Sequence, residues 1–209
     1  ITKIAPELDR TAKAGPGMDL AWEAGIHRLS LPPKYGGISD GSLKFQMEAA
    51  TIASLNITAG DGSCGQMIVT QMMELRLLFP PGGGDLGEEA LQAIAAAYAR
   101  GDTRIVASNS QTGVGKRPPL AKRVPGGLVV NGTKSFNTQS DGRGFAHVSC
   151  ALIEDDKPKG AVQVLIPLDH PGIRRHRDWD NMGQSGTESQ TITYEDVFVP
   201  DGWHHPFHF

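Results

Sequence analysis

The stretch Asn131-Gly132-Thr133-Lys134-Ser135-Phe136-Asn137-Thr138 decides how this chain reads. An Asn-Gly pair predicts a tight hairpin turn, and the residues after it predict a strand carrying one large aromatic and one hydroxyl. Further along, Tyr194-Glu195-Asp196-Val197-Phe198-Val199-Pro200 reads as a second strand that stops at a proline. Short β-type runs over residues 146–153 and 161–167 lie between these landmarks. They are punctuated by Asp155-Asp156-Lys157-Pro158-Lys159-Gly160 and Asp169-His170-Pro171-Gly172. Residues 104–107 and 127–130, with Pro125-Gly126-Gly127 as a turn, extend the pattern upstream. Strands at this spacing predict an antiparallel barrel or sandwich, not a βαβ fold.

Before Gly101 the period is helical. Leu20, Ala21 and Ala24 lead to Gly25, where the left-handed conformation that closes a helix is inexpensive. Leu31-Pro32-Pro33-Lys34-Tyr35-Gly36-Gly37 predicts a rigid loop. Apolar residues at mixed spacings of three and four over 42–55 and 63–78 predict buried bundle helices. Pro80-Pro81-Gly82-Gly83-Gly84 interrupts the pattern, and residues 88–100 then form a helix with Glu88 and Glu89 at its positive end. Helices first and strands second predict an α+β chain. An α-helical bundle domain spans 1–100, and an antiparallel β-barrel or sandwich domain spans 101–209.

The 209 residues carry a formal net charge of −3, with basic residues scattered except at Arg174-Arg175-His176-Arg177. Nucleic acid requires a clustered positive footprint, so that run is read as a solvated strand end. Cys64 and Cys150 form no CxxC pair, which argues against a zinc ribbon or a redox dithiol. Their use suits a reducing cytoplasm. No apolar run approaches the length of a membrane span. His204, His205 and His208 crowd together with no acidic partner nearby, and no metal site is assigned to them. Gly113-Val114-Gly115-Lys116-Arg117 lacks the GxxxxGK[ST] spacing of a phosphate loop and runs into Pro118-Pro119. The absence of GxSxG argues against a nucleophile-elbow hydrolase.

Four segments in order carry a family resemblance. Tyr35-Gly36-Gly37 follows Leu31-Pro32-Pro33-Lys34 after a glycine-ended helix, and Gly101-Asp102 closes a helix just before the first strand. Gly127-Leu128-Val129-Val130-Asn131-Gly132-Thr133-Lys134-Ser135-Phe136-Asn137-Thr138 resembles "NG-x-K-x-W-I-T", with Phe136 in place of tryptophan. Met182-Gly183-Gln184-Ser185-Gly186-Thr187 through Pro200 resembles "LGMRGS…F-x-D-V-x-VP". Together these resemble the N-terminal and central domains of the acyl-CoA dehydrogenase superfamily.

The resemblance implies a flavoprotein oxidoreductase with FAD, or FMN in the monooxygenase branch. By that analogy Phe136 covers a flavin ring face and Thr138 donates a hydrogen bond near flavin N5. Asn137 contributes backbone groups between them, and Ser108 and Asn109 stand where the family carries "T-E-P". A dehydrogenase of this kind oxidises a CH–CH bond of an acyl thioester, passing hydride to flavin N5. The family's "GSD" does not follow Asn109, and Gln184-Ser185 replaces "M-R". These departures favour an alternative, a two-component flavin-dependent monooxygenase using reduced flavin and oxygen on a non-CoA substrate. A third reading is a non-catalytic binding or assembly module. The family continues into a C-terminal four-helix domain that supplies the catalytic carboxylate, so no residue up to Phe209 is assigned as the base. The expected partners are a small-molecule substrate, an electron-transfer or flavin-reductase protein, and further copies of the chain in a homotetramer. Nucleic acid and membrane are not expected partners.

Overall fold

The computed structural model describes residues 1–80, 82–101, 103–110 and 117–207. Five helices come first: α1 (Ala5–Thr11), α2 (Gly15–Glu23), α3 (Leu43–Thr58), α4 (Gly62–Leu78) and α5 (Glu88–Ala99). Eight strands follow: β1 (Thr103–Ser108), β2 (Leu120–Val124), β3 (Gly127–Asn137), β4 (Arg143–Glu154), β5 (Lys157–Pro167), β6 (Ile173–Arg175), β7 (Gln190–Pro200) and β8 (His204–Pro206). The α+β class follows the sequence reading. The run at Arg174-Arg175 is a short edge strand, in which Arg174 pairs with Glu195 across 3.6 Å on the surface.

Local chemistry explains the element ends. Gly25 takes φ 78° just after α2. The Ser42 hydroxyl caps α3 by accepting from the Phe45 N–H at 3.0 Å, and Asp61 caps α4 by accepting from the Cys64 N–H at 2.7 Å.

The strands form one mixed sheet in the order β6-β7-β3-β2-β4-β5-β8. The parallel pairings both involve β4. Its first half pairs with β1 and its second half with β2, so β1 and β2 lie end to end along one edge of β4. Asp155 and Asp156, at φ 49° and 56°, make the two-residue β4–β5 turn between paired Glu154 and Lys157.

The expected hairpin at Asn131-Gly132 is not one. Pro125 and Gly126 make the turn, between paired Val124 and Gly127, and β3 then runs unbroken to Asn137. Asn131-Gly132 is instead a bulge in the β3–β7 pairing. There the Asn131 side chain accepts from the Asp196 N–H at 2.9 Å and donates to the Asp196 carboxylate at 2.9 Å. An Asn-Gly pair serves either purpose, because both need φ values that glycine adopts freely.

Two apolar clusters sit on opposite faces of the sheet. One gathers Trp22, Ile68, Leu75, Ile94 and Tyr98 from the helices with Ile105, Phe145 and Leu165 from the sheet. The other joins Val106, Ala146, Val148, Cys150, Val164, Ile192 and Tyr194. Alternation along β4 produces this division, sending Phe145 one way and Ala146 the other.

Candidate functional site

The end of β3 departs from regular strand geometry. Between Lys134 and Asn137 the pairing with β7 shifts register. Phe136 occupies this bulge at φ 57°, a left-handed conformation that costs a bulky residue of order 1–3 kcal/mol. Its ring is 48% exposed and packs edge-on against Trp179, with centroids 5.8 Å apart. The Trp179 indole N–H reaches the Ser185 carbonyl at 3.1 Å, which fixes that neighbour.

Asn137 holds the bulge from inside. Fully buried, it donates through Nδ2 to the carbonyls of Lys134 and Gln190, both at 2.8 Å. Its Oδ1 accepts from the Ser108 hydroxyl at 2.6 Å. Ser108 has then spent its only hydrogen, so the Tyr194 hydroxyl donates to it at 2.9 Å. Burial raises the Tyr194 phenol pKa, which keeps it a donor. Thr138, half-buried, accepts from the Ser189 hydroxyl at 3.1 Å.

Asn109 lies across the sheet from this cluster. Its Nδ2 donates to Glu74 Oε1 at 3.2 Å, and its Oδ1 accepts from Gln163 Nε2 at 3.3 Å. Its carbonyl accepts from the Lys134 ammonium at 3.3 Å. The side chain therefore points into the layer between α4 and the sheet. Lys134, 2% exposed, also donates to Ser149 Oγ at 3.1 Å, and burial pushes its pKa down to about 8. Beside this layer, Leu43, Leu77, Leu78, Pro80 and Leu86 wall a cavity of about 290 Å³ that Gln163 and His205 also line.

The structure thus joins Ser108 to Asn137 and sets Phe136 beside Thr138, while Asn109 faces α4. Sequence reading missed Trp179, Ser189, Tyr194, Glu74 and His147. The alternation of Phe145, His147 and Ser149 with Ala146, Val148 and Cys150 was the legible signal for the polar face of β4. Residues 111–116, among them Gly113 to Lys116, lie outside the described residues, as do His208 and Phe209. Among the described residues no group of three His, Cys, Asp or Glu could hold a metal.

Residues 108–197 match the family described as acyl-CoA dehydrogenase, middle domain. The resemblance of this chain to the acyl-CoA dehydrogenase superfamily is therefore present in sequence as well as in fold. Its relatives fall into two groups. The oxygenase subunit HsaA of a flavin-dependent monooxygenase from Rhodococcus jostii is 28% identical over 179 residues, 85% of this chain and 41% of that protein. Cyclohexane-1-carbonyl-CoA dehydrogenase from Geobacter metallireducens is 25% identical over 205 residues, 97% of this chain and 52% of that protein. Among solved structures, the 3-HSA hydroxylase from Rhodococcus sp. RHA1 superposes with a TM-score of 0.78 at 24% identity, covering 98% of this chain and 48% of that one. TdsC from Paenibacillus sp. A11-2, solved with FMN and indole, gives 0.77 at 22% identity over 99% and 50%. The chain spans about half the length of these relatives. The structural likenesses show the shared fold.

Proposed function

We propose that this chain is the flavin-binding part of a flavin-dependent oxidoreductase. Phe136 and Thr138 would meet the flavin ring, and Ser108, Asn137 and Asn109 would frame them. The observation that carries this reading is Phe136, held outward at φ 57° by the buried amide of Asn137. An exposed aromatic face beside a hydroxyl fits a flat heteroaromatic ring with hydrogen-bonding edges. FAD and FMN both satisfy that fit. When bound, a flavin supplies electron transfer between a reductant and a carbon substrate or oxygen. In this reading residues 1–100 and 101–209 are the family's helical and central β-domains.

Of the two reactions, we favour the two-component monooxygenase. The similarity to HsaA and the departures at Asn109 and Gln184-Ser185 support it. Oxidation of an acyl thioester is the second reading, favoured by the similarity to cyclohexane-1-carbonyl-CoA dehydrogenase. A small-molecule substrate, a reductase or electron-transfer partner, and a homo-oligomer belong to the same proposal.

Titration with FMN and FAD tests cofactor binding, because a flavin on Phe136 lies within quenching range of Trp179. Saturable quenching of tryptophan emission is expected, and its absence with both flavins would leave the binding-module reading. Reduced flavin with oxygen and an aromatic substrate panel should then give hydroxylated product. Anaerobic bleaching by acyl-CoA thioesters, without such product, would favour the dehydrogenase instead.

A further inference from the structure

A line of hydrogen bonds runs through the layer between α4 and the sheet. Glu74 Oε2 on α4 meets His147 Nδ1 on β4 at 2.5 Å. His147 Nε2 meets His205 Nε2 on β8 at 2.9 Å, and His205 Nδ1 meets the Pro206 carbonyl at 2.9 Å. All three side chains are buried, at 4%, 0% and 8% exposure. Strand register brings the histidines near one another, because His147 stands opposite Leu165 on β5 and His205 opposite Gln163, two residues back on the same strand.

Counting hydrogens decides its charge. The Pro206 carbonyl only accepts, so His205 Nδ1 carries a hydrogen. The His–His contact needs one more, and the Glu–His contact needs a third. A carboxylate and two neutral imidazoles bring only two. The line is fully bonded only with three protons, which makes it electrically neutral overall. Glu74 also accepts from Asn109 Nδ2, a bond that favours its carboxylate form. The count fits the extra proton on either imidazole, and the Glu74 carboxylate against His147 Nδ1 favours that ring.

We propose that Glu74, His147 and His205 share three protons and act as positioning residues for Asn109, holding the end of β1 in place in a pH-dependent way. Loss of the third proton sets two lone pairs against each other at 2.5 or 2.9 Å. Where the loss falls at the first of these contacts, Glu74 moves, and Asn109 is bonded to it. The charged and titratable groups facing the line from other elements are Lys134 on β3 and Tyr98 on α5, with Arg76 and Asp85 around the cavity beside His205. The link to the cofactor rests on the flavin reading above; the shared protons do not.

The test is Glu74→Gln. Its amide can donate to His147 Nδ1 and accept from Asn109, satisfying every bond with two neutral histidines. Above about pH 6.5, where unfolded histidine is neutral, the wild-type line holds one proton more than the unfolded chain. The wild-type unfolding constant should therefore rise up to about tenfold per pH unit relative to E74Q, until the third proton leaves. Taking the ratio removes the titration of Lys134, and below about pH 9 the Tyr98 phenol is un-ionised in both proteins. Side-chain ¹⁵N NMR should show both His147 nitrogens protonated in the wild type and only Nε2 protonated in E74Q. FMN affinity should fall with rising pH in the wild type and hold level in E74Q. Parallel unfolding profiles, or wild-type His147 and His205 both neutral, would overturn the shared protons. The expected profiles and spectra with FMN affinities that vary identically in both proteins would overturn the positioning role. If neither protein binds FMN at any pH, the flavin reading and the positioning role built on it fail, while the unfolding and NMR arms still decide the shared protons.

Discussion

At Phe136 a bulky side chain sits where glycine would be at ease, and Asn137 keeps it there. Asn137→Ala would strip two buried carbonyls and Ser108 of their partner. At about 1–3 kcal/mol for each buried group left unpaired, urea denaturation should show a loss of roughly 3 kcal/mol or more. Phe136→Ala should instead leave the fold intact while weakening FMN binding by about 1–3 kcal/mol. Unchanged affinity in a fluorescence titration would remove Phe136 from the site. Lys134 adds a pH signature of its own. Its folded pKa of about 8 lies below the ordinary lysine value of about 10.4, so the unfolded chain binds more protons between them. Lys134 therefore makes stability rise with pH across that window. Lys134→Met should remove this contribution, read as the difference between the two proteins' pH–stability curves. Phe136 and Thr138 became site candidates through the family resemblance. The inward turn of Asn109 was not legible in the sequence, because it depends on Glu74 and Gln163, which are distant in the chain.

Among the elements, β1 shows how the helices and the sheet are fastened together. One edge of β1 pairs with β4. On the other edge the Gln71 side chain of α4 substitutes for a strand, donating to the Ile105 carbonyl at 2.6 Å and accepting from its N–H at 2.9 Å. The same Oε1 accepts from the Tyr98 hydroxyl of α5. Gln71→Leu would leave three buried groups unpaired, so we expect a loss of about 3 kcal/mol or more and faster hydrogen exchange at Ile105. The α4 helix itself was readable from its apolar spacing. The role of Gln71 was not, since a glutamine on a helix shows nothing of the strand beneath it. Likewise β2 and β8 escaped notice because each is short and takes its order from a neighbour, β2 from β3 and β4, β8 from β5.

Across the whole molecule, the helix-side core contains Ile105, Phe145 and Leu165 from three strands. Helices and sheet should consequently unfold in one transition, with far-ultraviolet circular dichroism and tryptophan fluorescence coincident in urea. Separate midpoints would show that the helical layer and the sheet are independently stable. What the sequence determined by itself was the change of period near Gly101, the α+β class and the segments that resemble the acyl-CoA dehydrogenase family. Those signals are local, set by side-chain alternation, turn chemistry and helix termini. Tertiary structure alone decided that Asn131-Gly132 is a bulge, that Ser108, Asn137 and Tyr194 form one buried cluster, and that Glu74 meets His147. Each of those outcomes is fixed by which strand lies beside which. Contacts between residues far apart in the chain leave no periodic trace along it.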